Sequence, residues 1–95
     1  MKNLLLITML LGVGYSQECD PAAETGYNCD CNEDTWQEYY YPNMAGCWLD
    51  GADLTWANLS LADLSSANLA WANLYDADLY DVDLTGANLY QANLT

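Results

Sequence analysis

From Ala52 to Thr95 the chain is written in units of five: ADLTW, ANLSL, ADLSS, ANLAW, ANLYD, ADLYD, VDLTG, ANLYQ and ANLT. Leucine recurs at every fifth position from Leu54 to Leu94, the residue before it is always Asp or Asn, and the residue two before it is Ala except at Val82. A fixed period constrains the fold before anything else in a sequence does. An α-helix turns about 100° per residue and so about 140° per unit, which would scatter the leucines around the helix and leave no apolar face. A long flat strand fails as well, because an odd spacing sends successive leucines to opposite sides. A short extended trio and a two-residue corner satisfy the pattern: Ala and Leu point one way, Asp or Asn points the other, and the next two residues turn. Asp and Asn side chains also bond to nearby backbone at bends. Repeated corners close the chain into a coil whose turns stack at roughly the 4.8 Å of paired strands, with three or four sides.

The A-(D/N)-L-x-x array resembles the pentapeptide-repeat proteins over Ala52 to Thr95. Two looser units precede it: Cys47-Trp48-Leu49-Asp50-Gly51 keeps Leu49 and puts a small residue in the Ala slot, and Pro42-Asn43-Met44-Ala45-Gly46 keeps Asn43 and an apolar Met44. The resemblance implies an all-β chain, a right-handed quadrilateral β-helix, and no particular activity, since fold alone does not carry function. Four units per coil stack residues twenty apart. The expected inward columns are Leu54-Leu74-Leu94, Leu59-Leu79, Leu64-Leu84 and Leu69-Leu89, with Leu49 beneath Leu69. Pro42 to Thr95 is 54 residues, fewer than three coils of twenty. So small a solenoid is expected to need its disulfides or a partner.

Three segments are expected: a leader (1–16), a cysteine-rich cap (17–46) and the repeats (47–95), with a weaker unit from Pro42. Lys2 is the chain's one basic residue, the run from Leu4 to Gly14 is apolar, and Gly14-Tyr15-Ser16 ends it. That is the form of a secretory signal cut after Ser16. The run is short for a membrane span, and no membrane association is expected after cleavage.

Four cysteines, Cys19, Cys29, Cys31 and Cys47, in a short exported chain imply disulfides. Bonding Cys29 to Cys31 would need a strained small ring. Two pairings remain, and either ties the leading segment to the first coil through Cys47. Their spacing fits no common zinc site. Asp30, Asn32 and Asp34 begin a calcium-loop spacing, but Thr35 and Tyr41 stand where such a loop needs Gly and Glu. The stretch is read instead as an irregular cap, with Trp36 and the tyrosines Tyr39, Tyr40 and Tyr41 plugging the open core. At the other end the chain stops one residue past Leu94. A longer array, pairing of two copies through that coil end, or fraying each fits an open coil.

Beyond Lys2 there is no Lys, Arg or His, so the charge of −13 becomes −14 once the leader is removed. That excludes direct binding to nucleic acid or anionic membrane. It also removes the usual acid, base and clamp residues, so no enzyme activity and no cofactor are expected. Two outward patterns remain. Asp53, Asp63, Asp76, Asp78, Asp81 and Asp83 decorate the repeats, and Asp63 over Asp83 is the one carboxylate-on-carboxylate stack and so a candidate cation pair. Some pentapeptide-repeat proteins are acidic mimics of DNA that occupy a topoisomerase, so the resemblance carries that option too. Trp56, Trp71, Tyr75, Tyr80 and Tyr90 take variable outward places, either lying along neighbouring coils or offering rings to a protein or polysaccharide. Asn58-Leu59-Ser60 and Asn93-Leu94-Thr95 are formal glycosylation sequons. The expected function is an exported, non-catalytic structural or protein-interaction module. The alternatives are the DNA mimic and an aromatic-faced carbohydrate binder.

Overall fold

The structure, a computed structural model, describes residues 18–22 and 26–95. The expected leader and its cleavage site lie outside the described residues. From Asn43 onward the chain winds with a period of twenty: Asn43 pairs in parallel with Asp63, Trp48 with Asn68, Asp53 with Asn73, Asn58 with Asp78, Asp63 with Asp83, Asn68 with Asn88 and Asn73 with Asn93. Twenty residues per turn and a corner every five make a four-sided coil. The expectation of an all-β chain needs correction in one respect. The described residues contain no continuous strand, only single parallel bridges, and their one regular element is a five-residue π-helix, Trp36–Tyr40. The corners are the reason. Each side has three extended residues and contributes one pair, so the ladder runs along the coil axis rather than along the chain.

The repeat becomes intelligible when every backbone N–H of one unit is followed to its acceptor. In 72–76, Ala72 N–H donates to Leu69 C=O across the preceding corner, Asn73 N–H to Ala52 C=O one coil back, and Leu74 N–H to Asn93 C=O one coil on. Asp76 N–H donates to Thr95 C=O. The fifth donor, Tyr75 N–H, is turned into the corner and reaches no other coil; it donates to Asn73 Oδ1 at 3.1 Å. The same bond recurs from Asp53 to Asn93 in all nine strict units. Asp and Asn are the residues that carry an acceptor on one methylene, the reach this i to i+2 bond needs. Where the next residue is Thr55, Ser60, Ser65 or Thr95, its hydroxyl donates to the same oxygen as well.

The two places after each leucine, read from the sequence as freely variable, are not equivalent. The second has positive φ in every unit: Gly46, Gly51 and Gly86 near +70°, and Trp56, Leu61, Ser66, Trp71, Asp76, Asp81 and Gln91 between +55° and +64°. With the bond from Ala N–H back to Leu C=O, each corner has the form of a type II turn, which needs φ > 0 at its third residue.

Met44, Leu49, Leu54, Leu59, Leu64, Leu69 and Leu74 are buried, filling the expected columns, and Ala52, Ala62, Ala67 and Ala72 are buried beside them. Burial fades in the last coil. Leu79, Leu84 and Leu89 are half-buried and Leu94 is 51% exposed, with no further coil stacked on them among the described residues. The N–H groups of Leu79, Leu84, Leu89 and Leu94 find no acceptor among the described residues. The first coil is closed. Trp36 packs into the core with Tyr40 and Tyr41 against it, and the Tyr41 hydroxyl donates to Ser60 C=O. Tyr39, expected in the plug, faces solvent. Disulfides join Cys19 to Cys29 and Cys31 to Cys47, choosing between the two pairings left open. Cys31 and Cys47 are buried, so that bond is part of the plug.

Three outcomes test this packing. Leu69→Ala, at a fully buried site, should lose about 2–5 kcal/mol in urea denaturation, and Leu94→Ala, at the open end, under about 1 kcal/mol; equal losses would refute the gradient of burial. Ser66→Gly should gain up to about 1 kcal/mol by relieving a left-handed residue, and Gly86→Ala should lose about as much, so opposite signs would overturn the corner assignment. The third outcome concerns acid. The hydroxyl and then the N–H of Thr55 hold Asp53 below its ordinary carboxylate value, and Thr85 does the same for Asp83. A lowered folded value stabilises the fold above the unfolded value near about 3.9, and that contribution is lost as pH falls through the folded value. A double variant, Asp53→Asn with Asp83→Asn, keeps the oxygen in each corner. Its urea midpoint should fall less between about pH 5 and 2 than that of the parent chain, and an equal fall would exclude these two groups.

Candidate functional site

The coil has four walls and four corners, and the large side chains sit at the corners. Trp56 lies beside Tyr75 and Asp76 at one corner, because Trp56 N–H donates to Tyr75 C=O; its indole N–H reaches Asp76 Oδ2 at 3.3 Å. Leu61 lies beside Tyr80 at the next corner. Trp71 lies beside Tyr90 at a third, their rings edge to face at 5.6 Å. The fourth carries Ser65, Ser66, Thr85 and Gly86 and no ring. Of the five aromatic residues singled out by the sequence, Trp56 and Tyr80 are each 72% exposed, while Trp71 shields part of its surface against Tyr90. Leu61, 62% exposed, joins this outer set. Sequence reasoning missed it, although a leucine in the fifth place of ANLSL is the signal.

The walls between corners carry the short Asp and Asn side chains. Asp63 does stack over Asp83, but one oxygen of each is occupied in its own corner, by Ser65 and by Thr85. Among the described residues no group of three or more His, Cys, Asp or Glu could hold a metal ion. Asn73 and Asn93 stack with a side-chain bond, Nδ2 of Asn93 to Oδ1 of Asn73 at 3.0 Å. Both sequon asparagines, Asn58 and Asn93, use Oδ1 in their corners. Asn68 departs from the outward rule. It is buried beside Trp48, which stands where the other units have Asp or Asn. The six aspartates are not one stripe: Asp53, Asp78 and the Asp63–Asp83 pair lie on three different walls, and Asp76 and Asp81 lie at corners.

The cap adds an open cavity of about 400 Å³ with Glu18, Glu33, Asp34, Asp50 and Trp48 in its lining. Glu33 is partly committed to structure, since its Oε2 accepts the Asp53 N–H at 3.0 Å in place of a missing preceding coil. In the stretch read as half a calcium loop, Asn32 Oδ1 accepts the Asp34 N–H and the Thr35 hydroxyl donates to Asp30 C=O, so these groups are also part of the cap. This cavity is built from segments the disulfides bring together, and only the cysteines themselves hinted at it.

The disulfides are consistent with an oxidising compartment, and no helix among the described residues is long and apolar enough to cross a membrane. Comparison with curated proteins returns no match. The profile described as pentapeptide repeats matches in eight copies, over residues 43–74 and 62–95. Its span includes every strict unit and the bridge at Asn43 that opens the coil, and it implies a quadrilateral β-helix: the chain belongs to the pentapeptide-repeat family.

Proposed function

We propose that the chain is an exported, non-catalytic module that binds another macromolecule through the outer wall of its coil. The exposure of Trp56, Leu61 and Tyr80 on a rigid scaffold carries this reading. A monomeric solenoid gains nothing from large apolar groups in water, whereas aromatic rings are enriched where proteins meet partners. The chemistry of the wall agrees. Its aspartates spend an oxygen on the corners, and no described residue is a Lys, Arg or His that could serve as base, acid or clamp. Export is supported by the leader-like first sixteen residues and by two disulfides in so short a chain. The spread of the aspartates over several walls favours this reading over a DNA mimic, which needs a continuous anionic rod. Leu94, exposed on the last described coil, is in the same reading a contact for a second copy.

Expression of the full chain in a secreting host, followed by mass spectrometry of the exported fraction, tests the first part. The expected product begins at Gln17 and has no free thiol; retention inside the cell with reduced cysteines would overturn export. A topoisomerase supercoiling assay tests the second. No inhibition is expected at micromolar protein, and inhibition there would replace the module with the mimic.

A further inference from the structure

One wall differs from the other three. It is the wall carrying Asn58 and Asp78, which stack directly on each other. The corner before it presents Trp56 and Tyr75, and the corner after it presents Leu61 and Tyr80. Short side chains on this wall thus lie between two corners that carry large ones, an arrangement along the coil axis that we call the trough. The trough is acidic in its floor, at Asp78, and at both rims, through Asp76 and Asp81, all three exposed. Elsewhere the pieces do not coincide. The Asp63–Asp83 wall borders the ringless corner of Ser65, Ser66, Thr85 and Gly86, and the Asp53 wall has Trp71 partly covered by Tyr90 and its asparagines bonded to each other.

Resting on the binding-module reading above, we propose that this trough docks an arginine-rich polypeptide segment. Charge complementarity selects the occupant. The described chain has no cation of its own to neutralise Asp76, Asp78 and Asp81, so an anionic or nucleic-acid partner is repelled. A guanidinium satisfies both surfaces at once: it stacks on an indole or phenol face and donates two parallel N–H bonds to a carboxylate. Tyr75, Trp56 and Tyr80 supply the faces, and Asp76, Asp78 and Asp81 accept the N–H groups, Asp76 and Asp78 each with one oxygen already shared with the Trp56 indole N–H or the Tyr80 backbone N–H. Leu61 covers the methylene stem of such a side chain. The indole of Trp56 is pre-set for this, because its N–H is bonded to Asp76 and its ring is held at the rim.

The test uses the disulfide-bonded chain and an (Arg-Gly)4 peptide, read by tryptophan fluorescence and calorimetry at physiological salt. The parent chain should bind saturably. Trp56→Ala with Tyr80→Ala should weaken binding about tenfold. Asp76→Asn with Asp81→Asn should weaken it by a similar factor; both sites have positive φ, which Asn tolerates. Asp63→Asn with Asp83→Asn removes the same charge from another wall and should change affinity by less than about twofold at this salt. The altered side chains are exposed except that of Asp63, which is half-buried and keeps its corner oxygen as Asn, and an unchanged circular dichroism spectrum reports that each variant folds. Equal weakening by the two aspartate pairs would overturn the proposal in favour of diffuse attraction, and so would absence of saturable binding. Saturable binding of chitohexaose instead, lost with Trp56→Ala and Tyr80→Ala, would overturn the arginine-rich partner and leave the binding module standing.

Discussion

The coil depends on one short bond, from the N–H of the residue after each leucine to the side-chain oxygen of the residue before it. In an interior unit such as 72–76 every other N–H is satisfied by backbone, either across a corner or on an adjacent coil. This one points into the corner, where no other coil reaches. A buried donor without a partner costs about 1–3 kcal/mol, a cost that falls in full on the buried Asn68 corner, partly on the half-buried Asp63 corner, and less on the exposed corners. Asp or Asn removes it locally. That explains why, across the nine strict units, the alanine slot tolerates Val82 while the slot before each leucine admits only Asp or Asn; the looser unit at Cys47 has Trp48 there.

The two ends of the coil solve the same problem differently. At the first coil the missing neighbour is replaced piecemeal. Glu33 accepts the Asp53 N–H, Pro42 C=O accepts that of Asp63, Trp36 covers the leucines, and the Cys31–Cys47 bond holds these pieces in place. Closing a loop of that separation is worth about 3 kcal/mol, as much as one or two buried leucines contribute. Among the described residues the last coil has no such replacements, and burial falls from Leu74 to Leu94.

How much of this was written in the sequence follows from how local each feature is. The four-unit coil, the leucine columns, the outward aspartates and the stacking of Asp63 on Asp83 all follow from period and resemblance. The positive φ of the second corner residue was within reach, since Gly46, Gly51 and Gly86 all occupy it. Trp56 and Leu61 in the same place disguised it, because bulky residues are a poor sign of a left-handed turn. The cap was less legible. Which cysteines pair, why Tyr39 turns outward while Tyr41 reaches Ser60, and how Glu33 meets Asp53 depend on contacts between segments with no period to relate them. The candidate trough lay between. Its rings and acids were visible, but only the coil register places Tyr80 beside Leu61 and Asp76 beside Trp56.

The corner bond asks only for an oxygen, and an amide oxygen serves as well as a carboxylate. Asn58, Asn68, Asn73, Asn88 and Asn93 perform the same task as Asp53, Asp63, Asp78 and Asp83. Exchanging one for the other alters the electric field of the molecule and barely touches its architecture. Selection can therefore adjust the polarity of each wall independently, like setting a row of switches on a finished frame.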